Sequence, residues 1–393
     1  MTSEGVPAYD LLLPRQIVFG WGRRRELGQL AATIGSRAWV VSGSRTLTAR
    51  SWPELAASLE SAGVQPELAV TISHEPTVAD VDQLAAVLRQ SPQPRDLVLG
   101  LGGGSAIDLA KAGAAMATNR HGRSVADFLE GVGAGLKLEH EPLPVIAMPT
   151  TGGTGAEATK NAVISSSDPP FKKSLRSPGM VPRLALVDPE LGTSLSPERT
   201  AWSGMDAITQ LIESYLSRFS QPVPRALCVE GLRQALFALP VAVADGSSRA
   251  AREAMAHAAL LSGMALANSG LGLAHGVAAA LGCVADVPHG LACAMMLPVA
   301  LRVNRETCLP ALARLARDVL DRNFADDRQA ADALVATIDD LGQHLGIARR
   351  LRDLGMARQQ LDALVPASRG NSMNGNPRAL TDEQLRATLE EHW

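Results

Sequence analysis

The chain has 393 residues, of which 46% are hydrophobic and 20% charged, a composition typical of a globular protein large enough for two domains. The net charge of −3 and the lack of a long basic run argue against nucleic acid or an anionic membrane as a partner. We expect no signal peptide and no membrane span, because the chain up to Pro14 lacks the pattern of a leader and the apolar stretches are interrupted by Gly, Pro or charge.

Four sparse cysteines, without a CxxC pair, indicate packed or surface thiols rather than a disulfide framework or metal ligands. They are Cys228, Cys283, Cys293 and Cys308. A reducing compartment is the simplest setting for such thiols, so we expect a cytoplasmic protein.

Short apolar runs alternate with helical stretches through the first half of the chain. Strands are predicted at 16–20, 38–42, 67–72, 96–101, 144–148 and 184–187, with helices near 24–34 and 78–89 among the intervening segments. Continuous apolar strands that alternate with helices predict an α/β fold in which a parallel sheet is covered on both faces.

The pattern changes after about Pro189, where only helical spacing is found, at 195–215, 225–244, 250–267 and 308–321. Residues 369–377 are rich in Asn and Gly and predict a loop before a final helix. The sequence therefore predicts two domains, an α/β domain over 1–188 and an all-helical domain over 189–393.

A glycine-rich turn, Gly102-Gly103-Gly104-Ser105, follows the fourth predicted strand and leads into a helix. Such a turn lets backbone N–H groups approach a diphosphate at the positive end of the helix. The GxGxxG spacing is missing, so this segment alone leaves a phosphate-binding loop and a tight structural turn as equal alternatives.

A second loop of this kind, Thr150-Thr151-Gly152-Gly153-Thr154, follows the fifth predicted strand. Its hydroxyl and backbone N–H groups suit the phosphates and the nicotinamide amide of a dinucleotide, although a glycine loop with a threonine helix cap is the alternative. Two such loops at the carboxyl ends of parallel strands favour a nucleotide site, because ligands of open α/β sheets bind there.

Polar side chains with metal-binding chemistry occur in the helical half. Asp206 and Gln210 are four residues apart on one face of a predicted helix, and His275 and His289 are each followed by a glycine that leaves room for a ligand. One carboxylate and two imidazoles suit Zn²⁺ or Fe²⁺, although each histidine alone is more often structural.

Five motifs together resemble the iron-containing, or group III, alcohol dehydrogenases: GGGSAIDLAK, PTTGGTGAE, DPELGTSL, GMDAITQLIESY and GLGLAHGVAAALGCVADVPHG. The resemblance extends from Phe19-Gly20 to Asn376-Pro377. It implies the dehydroquinate synthase-like architecture: an N-terminal α/β dinucleotide-binding domain, an all-helical domain that carries metal and substrate, and a divalent metal, Fe²⁺ or Zn²⁺, in the cleft between them. It also implies a homodimeric enzyme that interconverts small alcohols with aldehydes or ketones, using NAD or NADP.

The resemblance further implies which residues form the site. The catalytic residues are Asp206, His275 and His289, and these three with Gln210 are the metal ligands. The positions that bind the cofactor are Gly43, Gly102, Gly103, Gly104, Ser105, Thr150, Thr151, Thr154, Lys172 and Leu191.

Two departures from the family pattern concern the metal and the proton path. Position 210 is usually His and here is Gln, whose carboxamide oxygen is a weaker ligand; we favour metal binding, with a Gln that only caps the site by hydrogen bonding as the alternative. Ala279 stands where many members carry another His, so proton exchange needs water or the cofactor ribose.

A third departure concerns the cofactor. Gly43 stands where the family often has an Asp that repels a 2′-phosphate, and the nearby Arg45 is able to pair with such a phosphate. This favours tolerance of NADP alongside NAD, with an exposed Arg in a turn as the alternative.

Two other functions stay open from the sequence. The first is a metal-independent reductase of the same fold, as in the maleylacetate reductases, in which Gln210 binds substrate directly. The second is a catalytically silent nucleotide-binding protein, against which the intact loops and both histidines argue. The identity of the substrate does not follow from the sequence.

Overall fold

The computed structural model describes residues 7–46, 51–90 and 92–393, which form two compact units. The α/β unit is Leu12–Ser194, and the helical unit is Leu195–Trp393 together with the described residues up to Leu11. The division therefore lies after Ser194, where the sequence predicted 188. The turn Pro189–Gly192 belongs to the α/β unit, because Asp188 at the end of the last strand caps it by accepting from Glu190 N.

Six strands of the α/β unit form one parallel sheet, as predicted. In chain order the strands of this unit are β1 Gln16–Phe19, β2 Arg37–Gly43, β3 Gln65–Ile72, β4 Asp96–Gly102, β5 Val145–Pro149, β6 Asn161–Ser167, β7 Pro170–Arg176 and β8 Leu184–Val187. The sheet order is β1-β8-β5-β4-β2-β3. The central strand β4 is buried along its whole length, which accounts for its continuous apolar run.

An antiparallel hairpin of β6 and β7 was not predicted from the sequence. In β6 only Ala162 and Ile164 are buried, and serines occupy three of the remaining positions. Period-2 burial of two small or branched residues among polar ones gives too weak a pattern to be recognised as a strand.

Helices cover both faces of the sheet. They are α1 Leu27–Ala32, α2 Ser51–Ser61, α3 Val78–Gln90 and α4 Gly104–Thr118. Trp39, Val41 and Val98 lie in the core on the side of α3 and α4, whereas Val40 and Leu99 lie in the core on the other side. Successive strand residues thus enter opposite cores, as the pleat requires.

The helical unit contains α5 Pro197–Leu216, α6 Pro222–Ala244, α7 Arg249–Ser269, α8 Leu273–Ala285, α9 His289–Asn304, α10 Leu309–Val319, α11 Asp327–His344, α12 Leu361–Ala367, α13 Asn371–Asn374 and α14 Asp382–Glu391. Helix α5 begins where the sequence provides both start signals: Ser196 accepts from Arg199 N, and Pro197 follows at the first helical position. The short helix α13 lies within 369–377, where the sequence predicted only a loop.

Among the described residues, α6 is long and apolar enough to cross a membrane by length and composition, and the bent pair α7 and α8 passes the same criterion together. Core helices of soluble proteins also pass it, so the evidence for a span is weak. Helix α6 contains Gly231, Arg233 and Pro240, the interruptions that argue against a span in the sequence.

Candidate active site

The glycine-rich turn lies where the strand order of the sheet reverses. Strand β2 has β3 on one side and β4 on the other, so the chain changes direction between β2 and β4. Gly102 has φ of +154°, and a Cβ added there would lie 2.9 Å from Ala106 Cβ and 3.0 Å from Gly43 N. Only glycine fits this close approach, and ligands of parallel sheets bind at such a reversal.

Helix α4 starts directly from this turn. Gly103 is its N-cap in extended conformation and makes no side-chain cap hydrogen bond, and Ser105 lies in the first turn. A Cβ added to Gly104 would lie 2.9 Å from Thr154 Oγ1, and one added to Gly103 would lie 3.4 Å from Thr151 Cγ2. The threonine loop therefore lies against a helix N-terminus suited to an anion.

The remaining predicted cofactor residues are also in the α/β unit. Thr150 N donates to Gly102 O (2.9 Å), which joins the two loops. Leu191 packs on the core beside the sheet. Lys172 lies on the hairpin strand β7, and its Nζ forms an ion pair with Glu75 Oε1 at 2.6 Å. Contact of any of these residues with a nucleotide stays a prediction.

A buried lysine links helix α4 to the segment that follows the threonine loop. Lys111 Nζ donates to Ala156 O (3.0 Å) and to Thr159 Oγ1 (2.8 Å), and it pairs with Asp108 Oδ1 at 3.4 Å. Asp108 Oδ2 in turn accepts from Val163 N (3.0 Å). Burial lowers the pKa of Lys111, which the carboxylate of Asp108 opposes. This network connects α4 to the segment after the threonine loop.

In the helical unit, three helices bring four possible metal ligands together. Asp206 comes from α5, His275 from the start of α8, and His289 and Cys293 from the first turns of α9. One donor atom of each residue lies within 4.8 Å of the others. Asp206 Oδ1 lies 3.2 Å from His275 Nε2 and 3.9 Å from His289 Nε2.

Cys293 was not predicted to belong to this cluster. Its Sγ lies 3.6 Å from His289 Nε2, because the two residues are four apart in α9 and share one face of the helix. The spacing of His289 and Cys293 was the signal available in the sequence. The sequence analysis did not use that spacing and interpreted the cysteines, which form no CxxC pair, as packed or surface thiols.

Glu213, one further turn along α5 from Gln210, is the second group that the sequence analysis missed. Its carboxylate accepts from His275 Nδ1 (2.7 Å) and from the backbone N–H groups of Gly272 (3.1 Å) and Ala274 (2.6 Å). It thereby neutralises the N-terminus of α8 and fixes the His275 ring with Nε2 toward Asp206.

The charges of the cluster favour a cation. Burial alone would raise the pKa of Asp206, but the hydrogen bond from His275 and the charge of His289 hold it below its usual value. Burial opposes a charged His275, yet Cys293, Asp206 and Glu213 raise its pKa well above the usual value. Burial raises the pKa of Cys293 to about 12. Two imidazoles, a carboxylate and a thiol fit Zn²⁺ or Fe²⁺, which would replace the proton on His275 Nε2.

Gln210, the fourth predicted ligand, lies one turn beyond Asp206 on α5 and is buried. Its Oε1 lies 2.8 Å from Ser262 Oγ of α7, whose one hydroxyl proton also has Ala259 O within reach at 2.7 Å. The side-chain amide is therefore engaged with a neighbouring helix, and its role as a metal ligand stays a prediction.

The glycines after the two histidines do not provide space for a ligand, and that interpretation of the sequence is wrong. A Cβ on Gly276 would lie 3.1 Å from Met373 Cε and from Ser368 O, and one on Gly290 would lie 2.6 Å from Trp202 O. Both glycines instead allow close packing of neighbouring segments of the helical unit. Ala279, half-buried on α8, has no atom able to relay a proton.

Replacing Glu213 by Gln should weaken metal binding by about 10- to 100-fold, the usual effect of losing the group that orients a histidine ligand. Gln has the same size as Glu, but one of its two oxygens is replaced by an NH₂ group. Both oxygens of Glu213 accept hydrogen bonds, from His275 Nδ1 and from backbone N–H groups, so the NH₂ donor of Gln would face another donor. Competition with a chromophoric chelator measures the affinity. Glu230→Gln, an exposed change on α6, is the matched control, and equal affinities of the two variants would contradict the role of Glu213.

Comparisons with known proteins agree with this arrangement. The protein-family model for iron-containing alcohol dehydrogenase matches residues 14–189 of the sequence. The family model for the C-terminal region of the Fe-containing alcohol dehydrogenases matches residues 200–393. The chain is 33% identical over 375 residues to the probable alcohol dehydrogenase EutG of Escherichia coli (strain K12), covering 95% of this chain and 92% of that protein.

Solved structures extend the similarity to the fold. The crystal structure of a 1,3-propanediol oxidoreductase superimposes with a TM-score of 0.91 at 28% identity, covering 98% of this chain and 100% of that one. The NAD⁺ complex of sulfoacetaldehyde reductase from Bifidobacterium kashiwanohense gives a TM-score of 0.87 at 30% identity, covering 98% and 99%. The chain therefore belongs to the iron-containing alcohol dehydrogenase family and is a metal-dependent, nicotinamide-linked oxidoreductase of alcohol CH–OH groups.

Proposed function

We propose that this chain interconverts a small alcohol with its aldehyde or ketone, using NAD or NADP and one divalent ion held by Asp206, His275 and His289. The observation that carries the proposal is the convergence of one buried carboxylate and two imidazoles from three helices within 4.8 Å. The family membership supplies the reaction type.

Different residues of the chain have different roles in the proposed reaction. Asp206 and the two histidines hold the ion, which when bound supplies Lewis acidity that favours an alkoxide over an alcohol and polarises a carbonyl. Glu213 keeps the proton on His275 Nδ1, so that Nε2 presents its lone pair. The glycine and threonine loops position the cofactor through backbone N–H and hydroxyl groups. Ala279 cannot exchange a proton, and water or the cofactor ribose serves instead.

The test is an assay of NADH and NADPH oxidation with a panel of aldehydes, on protein purified without chelator and analysed for metal. We expect turnover that is lost on removal of the metal and restored by Zn²⁺ or Fe²⁺. Unchanged turnover in the metal-free protein would favour the metal-independent reductase. Nucleotide binding without turnover under any loading would favour the silent protein.

Replacing Gly43 by Asp should shift the cofactor preference toward NADH. A Cβ at Gly43 would meet Thr46 Oγ1 at 3.2 Å, a tight contact with a side chain that is able to rotate, and nothing else closer than 3.9 Å. The new carboxylate and the 2′-phosphate of NADPH, about 4 Å apart, would repel by about 4 kcal/mol at an effective dielectric constant of about 20. Solvent screening leaves only a fraction of this energy, but about 1.4 kcal/mol is enough for a tenfold loss of kcat/KM with NADPH.

The measurement is the ratio of kcat/KM for NADPH to that for NADH. Arg45→Ala is the companion variant, which removes a possible phosphate partner without adding charge and should lower the ratio through NADPH alone. A ratio that neither substitution changes would contradict tolerance of the 2′-phosphate at this place.

We further propose a cytoplasmic location, supported by four cysteines of which none forms a disulfide in the described residues. Assembly as a homodimer is proposed from the family resemblance alone. Sedimentation of the purified protein tests the second proposal.

A further inference from the structure

Three separations between donor atoms of the metal cluster lie close to those of ligands that share one zinc ion. In a tetrahedral zinc site with Zn–N of about 2.0–2.1 Å and Zn–S of about 2.3 Å, the nitrogen and sulfur atoms lie about 3.6 Å apart. Cys293 Sγ lies 3.6 Å from His289 Nε2. Carboxylate oxygen and imidazole nitrogen ligands would lie about 3.4 Å apart, and the two distances from Asp206 Oδ1 are 3.2 and 3.9 Å.

Cys293 is placed in the cluster by the helix that also carries His289. The thiol is fully buried, and all four donor atoms lie within 4.8 Å of one another. Among the four cysteines only this one joins histidine and carboxylate donors in the described residues. Cys228 is buried on α6, which makes it a matched control, and Cys283 is exposed.

The chemistry of the donors distinguishes Cys293 from Gln210. Gln210 offers the metal only a neutral carboxamide oxygen, which lies 2.8 Å from Ser262 Oγ. A thiolate at Cys293 adds a negative charge, so that Asp206 and Cys293 together balance a divalent ion in a buried site. Thiolate sulfur is also the softer donor, and soft donors favour zinc.

We propose that Cys293 Sγ, rather than Gln210, is the fourth ligand of the metal in this chain, and that it raises the preference of the site for Zn²⁺ over Fe²⁺. This inference rests on the metal site of the proposed function, and a site with four protein ligands remains able to act as a Lewis acid because zinc can expand from four to five ligands. When the bond forms, the Sγ–H proton passes to solvent and the sulfur electron pair passes to the ion, so no oxidant or reductant is needed.

The test uses Co²⁺ as a spectroscopic probe of thiolate ligation. The full-length protein is stripped with a chelator and reloaded with Co²⁺, in a Cys283→Ser background that removes the exposed thiol. We expect one Co²⁺ per chain and a near-ultraviolet thiolate-to-cobalt charge-transfer band. The band should persist in Cys228→Ser and Gln210→Ala and should be absent in Cys293→Ser.

Affinity gives a second readout that does not depend on turnover. Cys293→Ser should bind Co²⁺ and Zn²⁺ at least about tenfold more weakly, since even groups that only orient ligands have effects of that size. The ratio of Zn²⁺ to Fe²⁺ affinity should fall in this variant and stay unchanged in Cys228→Ser.

The outcomes separate the two proposals. One Co²⁺ per chain, lost in His275→Ala but without the charge-transfer band, would overturn the role of Cys293 and leave the metal site intact. Loss of metal affinity in Gln210→Ala, with full metal affinity in Cys293→Ser, would also overturn the role of Cys293. Absence of stoichiometric Co²⁺ in the parent protein, with no effect of His275→Ala, would overturn the metal site and this inference together.

Discussion

Replacing His275 by Ala should reduce kcat/KM by at least about a thousandfold and reduce the metal content to the background level. Lewis acidity contributes several kcal/mol to such a reaction, and each 1.36 kcal/mol is a factor of about ten in rate. The substitution removes one ligand and also leaves Glu213 Oε2, which accepts from His275 Nδ1 at 2.7 Å, without that partner. One change therefore removes a metal ligand and leaves the carboxylate that orients it with only its backbone N–H partners.

Metal analysis and steady-state kinetics of the same preparation measure this effect. His344→Ala, an exposed change at the end of α11 in the same unit, is the control and should retain full activity and metal. Binding of NADH should be retained in His275→Ala, because the glycine and threonine loops belong to the α/β unit. Unchanged turnover with full metal content would contradict the assignment of His275.

The α/β unit was predictable because its strands carry their signal locally. The parallel sheet is buried on both faces, so each central strand is a continuous apolar run that no surface residue interrupts. The β6–β7 hairpin lies outside this sheet and has half-exposed serines and lysines, so local composition gave no comparable pattern. The boundary between the compact units lies after Ser194 rather than after residue 188, and the turn that follows β8 is held by the side chain of Asp188, which an apolar pattern does not reveal.

The metal site was predictable only in part. Asp206, His275 and His289 have the residue types and spacing of metal ligands in motifs that resemble a family. Glu213 and Cys293 gain their roles from the packing of α5, α8 and α9, and Glu213 lies 62 residues from the histidine that it orients. A helix spacing of four places Cys293 beside His289, but only the packed structure brings Asp206 and His275 to the same point.

Replacing Gly102 by Ala should weaken NADH and NADPH binding by at least about a hundredfold while leaving the metal content unchanged. A φ of +154° is unfavourable for any residue with a Cβ, and the new methyl group would lie 3.0 Å from Gly43 N, a backbone atom that cannot rotate away. The strain moves apart the ends of β2 and β4 and with them the start of α4, whose N–H groups we expect at the diphosphate.

The neighbouring glycines provide graded controls for Gly102→Ala, because a methyl group added at Gly104 or Gly103 would have less severe steric clashes. In Gly104→Ala the methyl group would lie 2.9 Å from the Thr154 side chain, which is able to rotate, so an intermediate loss is expected. In Gly103→Ala the closest atom is Thr151 Cγ2 at 3.4 Å, an ordinary contact, and the loss should be the smallest. Fluorescence titration with NADH measures all three variants, and metal content with thermal unfolding shows that each remains folded. Equal weakening in all three variants, or normal NADH binding by Gly102→Ala, would show that the close approach of β2 and β4 does not form the cofactor site. We expect the graded order because the backbone atoms that the new methyl group meets at Gly102 have the least freedom to move.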